Sequence, residues 1–221
     1  MRVDIWSDVV CPFCYIAKKR LERVASEMQE PLEIYWHSFQ LDPDAPTSHQ
    51  SSNTERLAVK YQRSVEDVED MQRKIAEMAA EEGIDFQWQK ANSGNSFNAH
   101  RLIHMAQSKN LGSEAQEAFF KAYMTEGLAI GEREVLDEIA SRIGLEHGEV
   151  EDVLDSNAFA DFVKYDEELA RDKLKVTAVP FFVFDQRVAL AGAQPAQVLQ
   201  DVITKVRHDQ ANADDTPTEA K

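Results

Sequence analysis

The chain has 221 residues, with 24 Lys or Arg against 40 Asp or Glu and a formal net charge of −16. That length suits one domain with a real core, or one domain carrying a sizeable insertion. The acidic balance argues against a nucleic-acid backbone or an anionic membrane surface as the main partner, and the two cysteines are too few for a disulfide framework.

Residues 2–6 alternate in polarity and carry Val3, Ile5 and Trp6, the pattern of a short strand. They follow Met1 directly, without a charged n-region, an apolar stretch or a small-residue cleavage site. No apolar run approaches the roughly 18 residues of a membrane span. The expectation is a cytoplasmic protein. Pro12 suits the first turn of a helix, and Ile16, Leu21, Val24 and Met28 recur at helical spacing. Leu32 to Phe39 alternates again and predicts a second strand.

Gln40 to Asn53 is polar, contains Pro43 and Pro46, and reads as a crossover. A long helical stretch follows. Ser64 looks like a helix start and Gly83 a helix end. A helix is expected over about 96–109, and Ser113 to Gln116 resembles a capping box before the next. Further helices fit 132–143, 147–155 and 157–173. Strand character returns from Val179 to Phe184, a turn over 185–187 leads to a hairpin partner at 188–190, and Pro195 opens a last helix with Val198, Leu199, Val202 and Val206 on one face. From His208 onward large apolar residues are lacking, which predicts a disordered tail.

The order is strand, helix, strand, helical block, strand, strand, helix. It predicts an α/β protein in which a right-handed parallel crossover joins the first two strands and an antiparallel hairpin closes the sheet. The expected parts are 1–42, a helical insertion over 43–172, 173–207, and the tail 208–221. Cys11 and Cys14 form a C-x-x-C at the first strand-to-helix junction, which in this pattern is a thioredoxin-like redox motif.

A thiolate attacks and a thiol does not. Cys11 sits where free backbone N–H groups and the positive end of the helix dipole favour the anion, so it is the expected nucleophile. Cys14, one turn on and more covered, is the expected resolving thiol. Between them Pro12 stiffens the turn and Phe13 adds an apolar surface without positive charge. Val179-Pro180 stands just before an apolar strand. A cis bond there would turn Val179's backbone toward the sulfurs, where it would pair with an extended substrate.

Other residues have plainer readings. A structural disulfide across so short a loop would stabilise little, and a closed zinc site wants four ligands. His100 and His104 have i, i+4 spacing and would complete such a site only if the helical block folded over the cysteines. His100 and Asn98 are candidates for a groove between the two parts, and His104 for packing. His37, His49, His147 and His208 show no partner pattern. Asp8 is either a proton carrier or a solvated turn residue. Phe181, Phe182 and Phe184 are mostly core, with an apolar face near Pro180 as a candidate groove wall. One of Asn95 and Asn98 is expected to cap a helix.

The stretches DIWSDVVCPFCYIAKKRLE, SFQLDP, NSFNAHRLIHMA, FFKAYMTEG, VTAVPFFVFD and LAGAQP together resemble the DsbA-like branch of the thioredoxin superfamily, specifically its cytoplasmic FrnE-type subgroup. The resemblance implies a thioredoxin fold with an inserted all-helical subdomain. It also implies dithiol–disulfide exchange or isomerisation on protein thiols, with Cys11 as nucleophile, Cys14 as its partner and Pro180 as the cis proline. The dipeptide is Pro-Phe where many relatives have Pro-Trp or Pro-His, and no cysteine follows Cys14, so no second internal pair takes part. A low-molecular-weight thiol such as glutathione, or a thioredoxin-type protein, would be the reductant, and no bound cofactor or metal is implied. Related glutathione-dependent transferases or isomerases of small aromatic molecules are the alternative. A serine at the first cysteine position is expected of those, and this chain has Cys11. A binding module with a passive redox pair is a third reading. A monomer is the default.

Overall fold

A computed structural model describes residues 1–48, 51–92 and 94–214, so His49 lies outside the described residues. Strand β1 (Arg2–Ser7) is buried over Val3 to Ser7. That suits a central strand covered on both faces. It lies inside a four-stranded sheet of order β2-β1-β3-β4. Strand β2 (Glu33–Ser38) runs parallel to it with Trp36 opposite Ile5. Strand β3 (Phe181–Phe184) runs antiparallel with Phe182 opposite Ile5, and β4 (Val188–Ala191) closes the edge antiparallel to β3. Helix α1 (Pro12–Glu27) joins β1 to β2, and α9 (Ala196–Asp214) packs against α1.

Between β2 and β3 come α2 (Asn53–Tyr61), α3 (Val65–Glu81), α4 (Phe97–Ser108), α5 (Gly112–Lys121), α6 (Arg133–Arg142), α7 (His147–Asp155) and α8 (Ala160–Glu168). The order of elements is the α/β order expected from the sequence. Helices α4, α5 and α8 pack on β2. Tyr15 of α1 stacks on Phe120 of α5 with ring centroids 4.9 Å apart. Beside it Lys18 and Tyr15 both bond to Glu117, at 2.6 and 2.7 Å. Burial opposes the charge on Glu117, but Lys18, Lys19 and the Tyr15 hydroxyl outweigh it and lower its pKa.

A charge network ties the helices to the sheet. His37 on β2 lies stacked on Trp6, ring centroids 4.3 Å apart. Its Nδ1 is 2.7 Å from Asp166 of α8 and its Nε2 2.9 Å from Asp4 of β1. Both ring nitrogens face carboxylates, so the ring is held as imidazolium. Burial works against that charge, but Asp166 and Asp4 prevail and raise the His37 pKa to about 9. Burial likewise opposes Asp4 and Asp166, yet their partners bring both down to about 2. Alternation in β2 shows none of this, because both carboxylates come from elsewhere in the chain.

Three local readings are corrected. Helix α5 starts at Gly112 with Leu111 at its N-cap and no side-chain cap. Ser113 instead accepts the Trp36 indole N–H at 3.2 Å. A capping box exists instead at the start of α2, at Ser52 and Glu55. The stretch 157–173 is not one helix. Phe159 takes a left-handed φ of 61°, α8 begins at Ala160, and a π-helical turn over Leu169–Lys173 ends it. A second π-helical turn, Ala122–Glu126, ends α5. Such turns insert an extra residue per turn, which a 3.6-residue period does not register. Helix α9 continues to Asp214, past the expected end at 207. No Gly or Pro interrupts it, and Ala211 and Ala213 favour helix. Residues 215–221 of the expected tail lie outside the described residues.

Candidate active site

The turn between β1 and α1 is built on Asp8. Its carbonyl accepts the Cys11 N–H at 3.0 Å, and the Cys11 carbonyl accepts the Cys14 N–H at 3.1 Å. Cys11 is the N-cap of α1 with extended backbone angles (φ −94°, ψ 110°), and Pro12 is the first helical residue. Pro12 loses nothing there, since an N–H at that position has no helical acceptor. No acidic residue stands in the first turn of α1, so the positive end of the helix dipole is not offset locally.

Both thiols are free and buried, Cys11 at 4 % and Cys14 at 2 % exposure. Burial pushes the Cys14 thiol well above the usual range, and the neighbouring Cys11 sulfur adds to the rise. The Ser7 hydroxyl and the Asp8 backbone N–H beside the Cys14 sulfur work the other way. Cys14 is therefore held as a thiol until something removes its proton. Ser7 in turn lies 3.5 Å from the Gln116 amide of α5.

The Val179–Pro180 peptide bond is cis, and the Cys11 Sγ is 3.7 Å from the Val179 carbonyl oxygen. Pro180 is buried and its carbonyl accepts the Gly192 N–H at 2.8 Å. Cys11, Cys14, Val179 and Pro180 are thus brought to one place by β1, α1 and the start of β3. Phe13 points outward, 37 % exposed.

Cys11, Pro12 and Phe13 open into a groove of about 1580 Å³ whose far wall is the α2–α3 pair. Met71, Ile75 and Met78 of α3, with Phe86, supply apolar surface there. Val59 (80 % exposed) and Tyr61 (50 %) stand on the same wall. The loop before α2 is pinned by close approach. A Cβ on Gly94 or Gly131 would fall 2.1 or 2.0 Å from the Thr47 carbonyl oxygen, so both positions require glycine.

The other candidates fall differently. Asn98 accepts from Arg101 at 2.9 Å. Arg101 in turn donates to the carbonyls of Val153, Ser156 and Ala158, so Asn98 belongs to the α7–α8 junction and not to the groove. Asn95, just before the Ser96 N-cap of α4, accepts the N–H of the first helical residue, Phe97, at 2.9 Å. His104 is packed and bonded, 3.0 Å from Ser38 Oγ and 3.1 Å from Asp166. His100 is 2 % exposed and does not line the groove. It lies behind the cysteine turn, facing Asp8. Asp8 is wholly buried, with its carboxylate accepting the Leu41 N–H at 2.7 Å, and is no solvated turn residue. His147 pairs with Asp137 at 2.8 Å on the surface. Among the described residues no group of three or more His, Cys, Asp or Glu is arranged to hold a metal ion. Also among them, no helix is long and apolar enough to cross a membrane.

Sequence reasoning missed Ser7, Gln116 and the α3 wall. The apolar spacing of α3 was visible, but core and groove faces give the same stripe. The family model for the DsbA-like thioredoxin domain matches residues 2–204. The chain belongs to the DsbA-like thioredoxin family. A probable DsbA oxidoreductase from Streptomyces coelicolor is 33 % identical, with a TM-score of 0.89 over 100 % of this chain and 94 % of that one. A 2-hydroxychromene-2-carboxylate isomerase has the same fold at 18 % identity and a TM-score of 0.71, covering 96 % of this chain and 99 % of that one. So does the cytosolic disulfide reductase DsbM of Pseudomonas aeruginosa, solved with GSH, at 19 % identity and 0.67, covering 94 % and 100 %. This DsbA-like chain is of oxidoreductase kind, and its cysteine pair stands at the helix start that the fold makes suitable for thiol chemistry.

Proposed function

We propose that this chain is a cytoplasmic dithiol–disulfide oxidoreductase or isomerase of the FrnE-type subgroup, acting on protein thiols through Cys11 and Cys14. The observation that carries the reading is the Cys11 sulfur at the start of α1, 3.7 Å from the Val179 carbonyl, with Cys14 free one turn behind it. The Cys11 thiolate attacks one sulfur of a substrate disulfide. A Cys11–substrate disulfide forms and the other substrate sulfur leaves as a thiolate. Cys14 then attacks the Cys11 sulfur, a Cys11–Cys14 disulfide forms, and the substrate leaves as a second thiolate. Two electrons pass from the pair to the substrate, and the reverse sequence oxidises a substrate dithiol. Phe13 and the apolar wall of the groove suit an extended, partly apolar protein segment, which the backbone of Val179 would align by strand-like pairing.

Regenerating the dithiol needs an external reductant, either glutathione or a thioredoxin-type protein. A reducing cytosol favours reductase or isomerase work over net oxidation. A glutathione-dependent reaction on a small aromatic molecule is the second reading, favoured by the shared fold with the isomerase. Two thiols where one glutathione sulfur would suffice speak for the first.

Equilibration of the full chain in graded glutathione buffers, followed by alkylation and mass counting, tests this. A passage from two labels to none is expected, with a single midpoint. Two labels at every ratio, or a glutathione adduct on Cys11 that Cys14 never displaces, moves the reading to the glutathione-dependent enzyme.

A further inference from the structure

Arg20 lies further along α1 than the cysteines, and its guanidinium is shared between two parts of the molecule that flank them. Its Nε donates to Glu82 Oε1 at 2.6 Å. Its Nη1 donates to the carbonyls of Ala193 and Gln194, at 3.3 and 2.9 Å. The side-chain exposures are 9 % for Arg20 and 3 % for Glu82. Glu82 is the C-cap of α3, the helix whose Met71, Ile75 and Met78 supply the far wall of the groove. Ala193 and Gln194 follow Gly192, whose N–H holds the Pro180 carbonyl at 2.8 Å. One planar group thus ties the foot of the groove wall to the loop behind the cis proline.

Arg23 supplies the contrast. It also reaches Glu82, at 3.1 Å, but it is 45 % exposed and its other partner is Glu27 of its own helix. Of the two guanidinium groups on Glu82, Arg20 is the one that bonds to the loop as well. A buried ion pair gives little net stability over an apolar replacement, because desolvation offsets the attraction. What a guanidinium supplies, and an ammonium does not, is a rigid fork that holds several acceptors at fixed spacing. Here the acceptors belong to the two sides between which an extended substrate would lie, the Val179–Pro180 strand and the α3 wall.

We propose that Arg20 is a specificity-determining positioning residue, which sets the spacing between the cis-proline strand and the α3 wall and so favours long extended protein segments over small disulfides. The proposal rests on the dithiol–disulfide reading above. A segment docked on Val179 with side chains against Met71 and Met78 touches both sides, and it loses binding when they move apart. A small disulfide needs only Cys11. Arg20 touches neither the sulfurs nor the substrate, so the attack on a docked disulfide does not depend on it.

The test uses the reduced full chain and two disulfides that release the same coloured aromatic thiolate when Cys11 attacks. One is the mixed disulfide of a long, apolar cysteine peptide, and the other is the symmetrical aromatic disulfide. For the peptide, release rate against concentration gives a half-saturating concentration and a limiting rate. Arg20→Met is expected to raise the half-saturating concentration about tenfold and to leave the limiting rate nearly unchanged, which marks lost binding and not lost chemistry. The small disulfide should react as before. Arg20→Lys keeps the charge without the fork and is expected to behave like Arg20→Met, whereas an ion pair that only stabilises the fold is rescued by Lys. Arg23→Met leaves the loop bonds in place and should leave the preference unchanged. No shift in Arg20→Met, equal shifts for both disulfides, rescue by Lys, or the same shift in Arg23→Met overturns the proposal. If the Arg20 variants do not fold, Glu82→Gln, which removes the charge that holds α3 to Arg20, decides by the same comparison. A shift confined to the peptide supports the proposal, and its absence overturns it. A wild-type chain that releases no thiolate from either disulfide overturns the underlying dithiol reading instead.

Discussion

The Cys11 sulfur lies 3.7 Å from the carbonyl oxygen of Val179, a residue 168 positions further along the chain. The contact exists because β3 pairs with β1, and it sets the sulfur beside the backbone that the proposed reading assigns to an extended substrate. Cys11→Ser is therefore expected to abolish exchange, whereas in Cys14→Ser the Cys11 thiolate should still attack a substrate disulfide and stop at the mixed disulfide. Non-reducing mass spectrometry of each variant after incubation with a disulfide substrate reads the difference. A Cys14→Ser chain that turns over repeatedly would show that Cys14 is not the resolving thiol.

Phe13 brings no charge to the C-x-x-C. A cation at that position would favour the thiolate, and hence the reduced pair, over the disulfide. Phe13→His is expected to raise the reduction potential by about 30 mV or more, since 30 mV corresponds to about 1.4 kcal/mol for two electrons. Equilibrium with glutathione measures it. An unchanged or lower potential would mean that the exposed Phe13 ring does not govern the sulfur's surroundings.

The network of His37, Asp4 and Asp166 predicts a bounded stability window. His37 has its pKa raised from 6.5 to about 9, so its contribution is complete below about pH 6.5 and is lost as pH rises through about 9. Asp4 and Asp166 are lowered from 3.8 to about 2. Their contribution is present above about pH 4 and is lost as pH falls through about 2. Thermal unfolding across this range should show a plateau between about pH 4 and 6.5 with losses on both sides. In His37→Phe, which keeps the stacking on Trp6 but not the charge, the alkaline loss should vanish and the whole curve should sit lower. An alkaline limb that survives the substitution belongs to another group.

Arg101 closes three carbonyls at the end of α7, those of Val153, Ser156 and Ala158. Arg101→Met removes that donor from all three, with only Val153 keeping the Ser156 N–H, and should cost about 2–4 kcal/mol. Denaturant unfolding should show the loss, and thiol exchange in the folded fraction should persist. A change below about 0.5 kcal/mol, the size of an ordinary surface substitution, would mean that water replaces the guanidinium there.

The alternating strands and the helix punctuation at Ser64 and Gly83 were legible because they depend on neighbours a few residues apart. The same local logic misplaced the start of α5, since Ser113 has a tertiary partner in Trp36. It also missed both π-helical turns. His37 showed no partner because Asp4 and Asp166 lie 33 and 129 residues away. His100 and Asn98 looked alike as groove candidates. The packing of α4 turns His100 toward Asp8, while Asn98 pairs with Arg101 on its own helix, which reaches the carbonyls of Val153, Ser156 and Ala158.

By itself the sequence determined the strand–helix order, the C-x-x-C at a helix start and the Val-Pro before an apolar strand, all set by local period and backbone chemistry. Tertiary structure alone decided what surrounds those residues: the Val179 carbonyl at Cys11, the burial that raises Cys14, the α3 wall of the groove, and the unsatisfied His100 behind Asp8. Those contacts join segments far apart in the chain, and burial, which shifts a pKa and makes an unpaired nitrogen costly, exists only once the segments have packed.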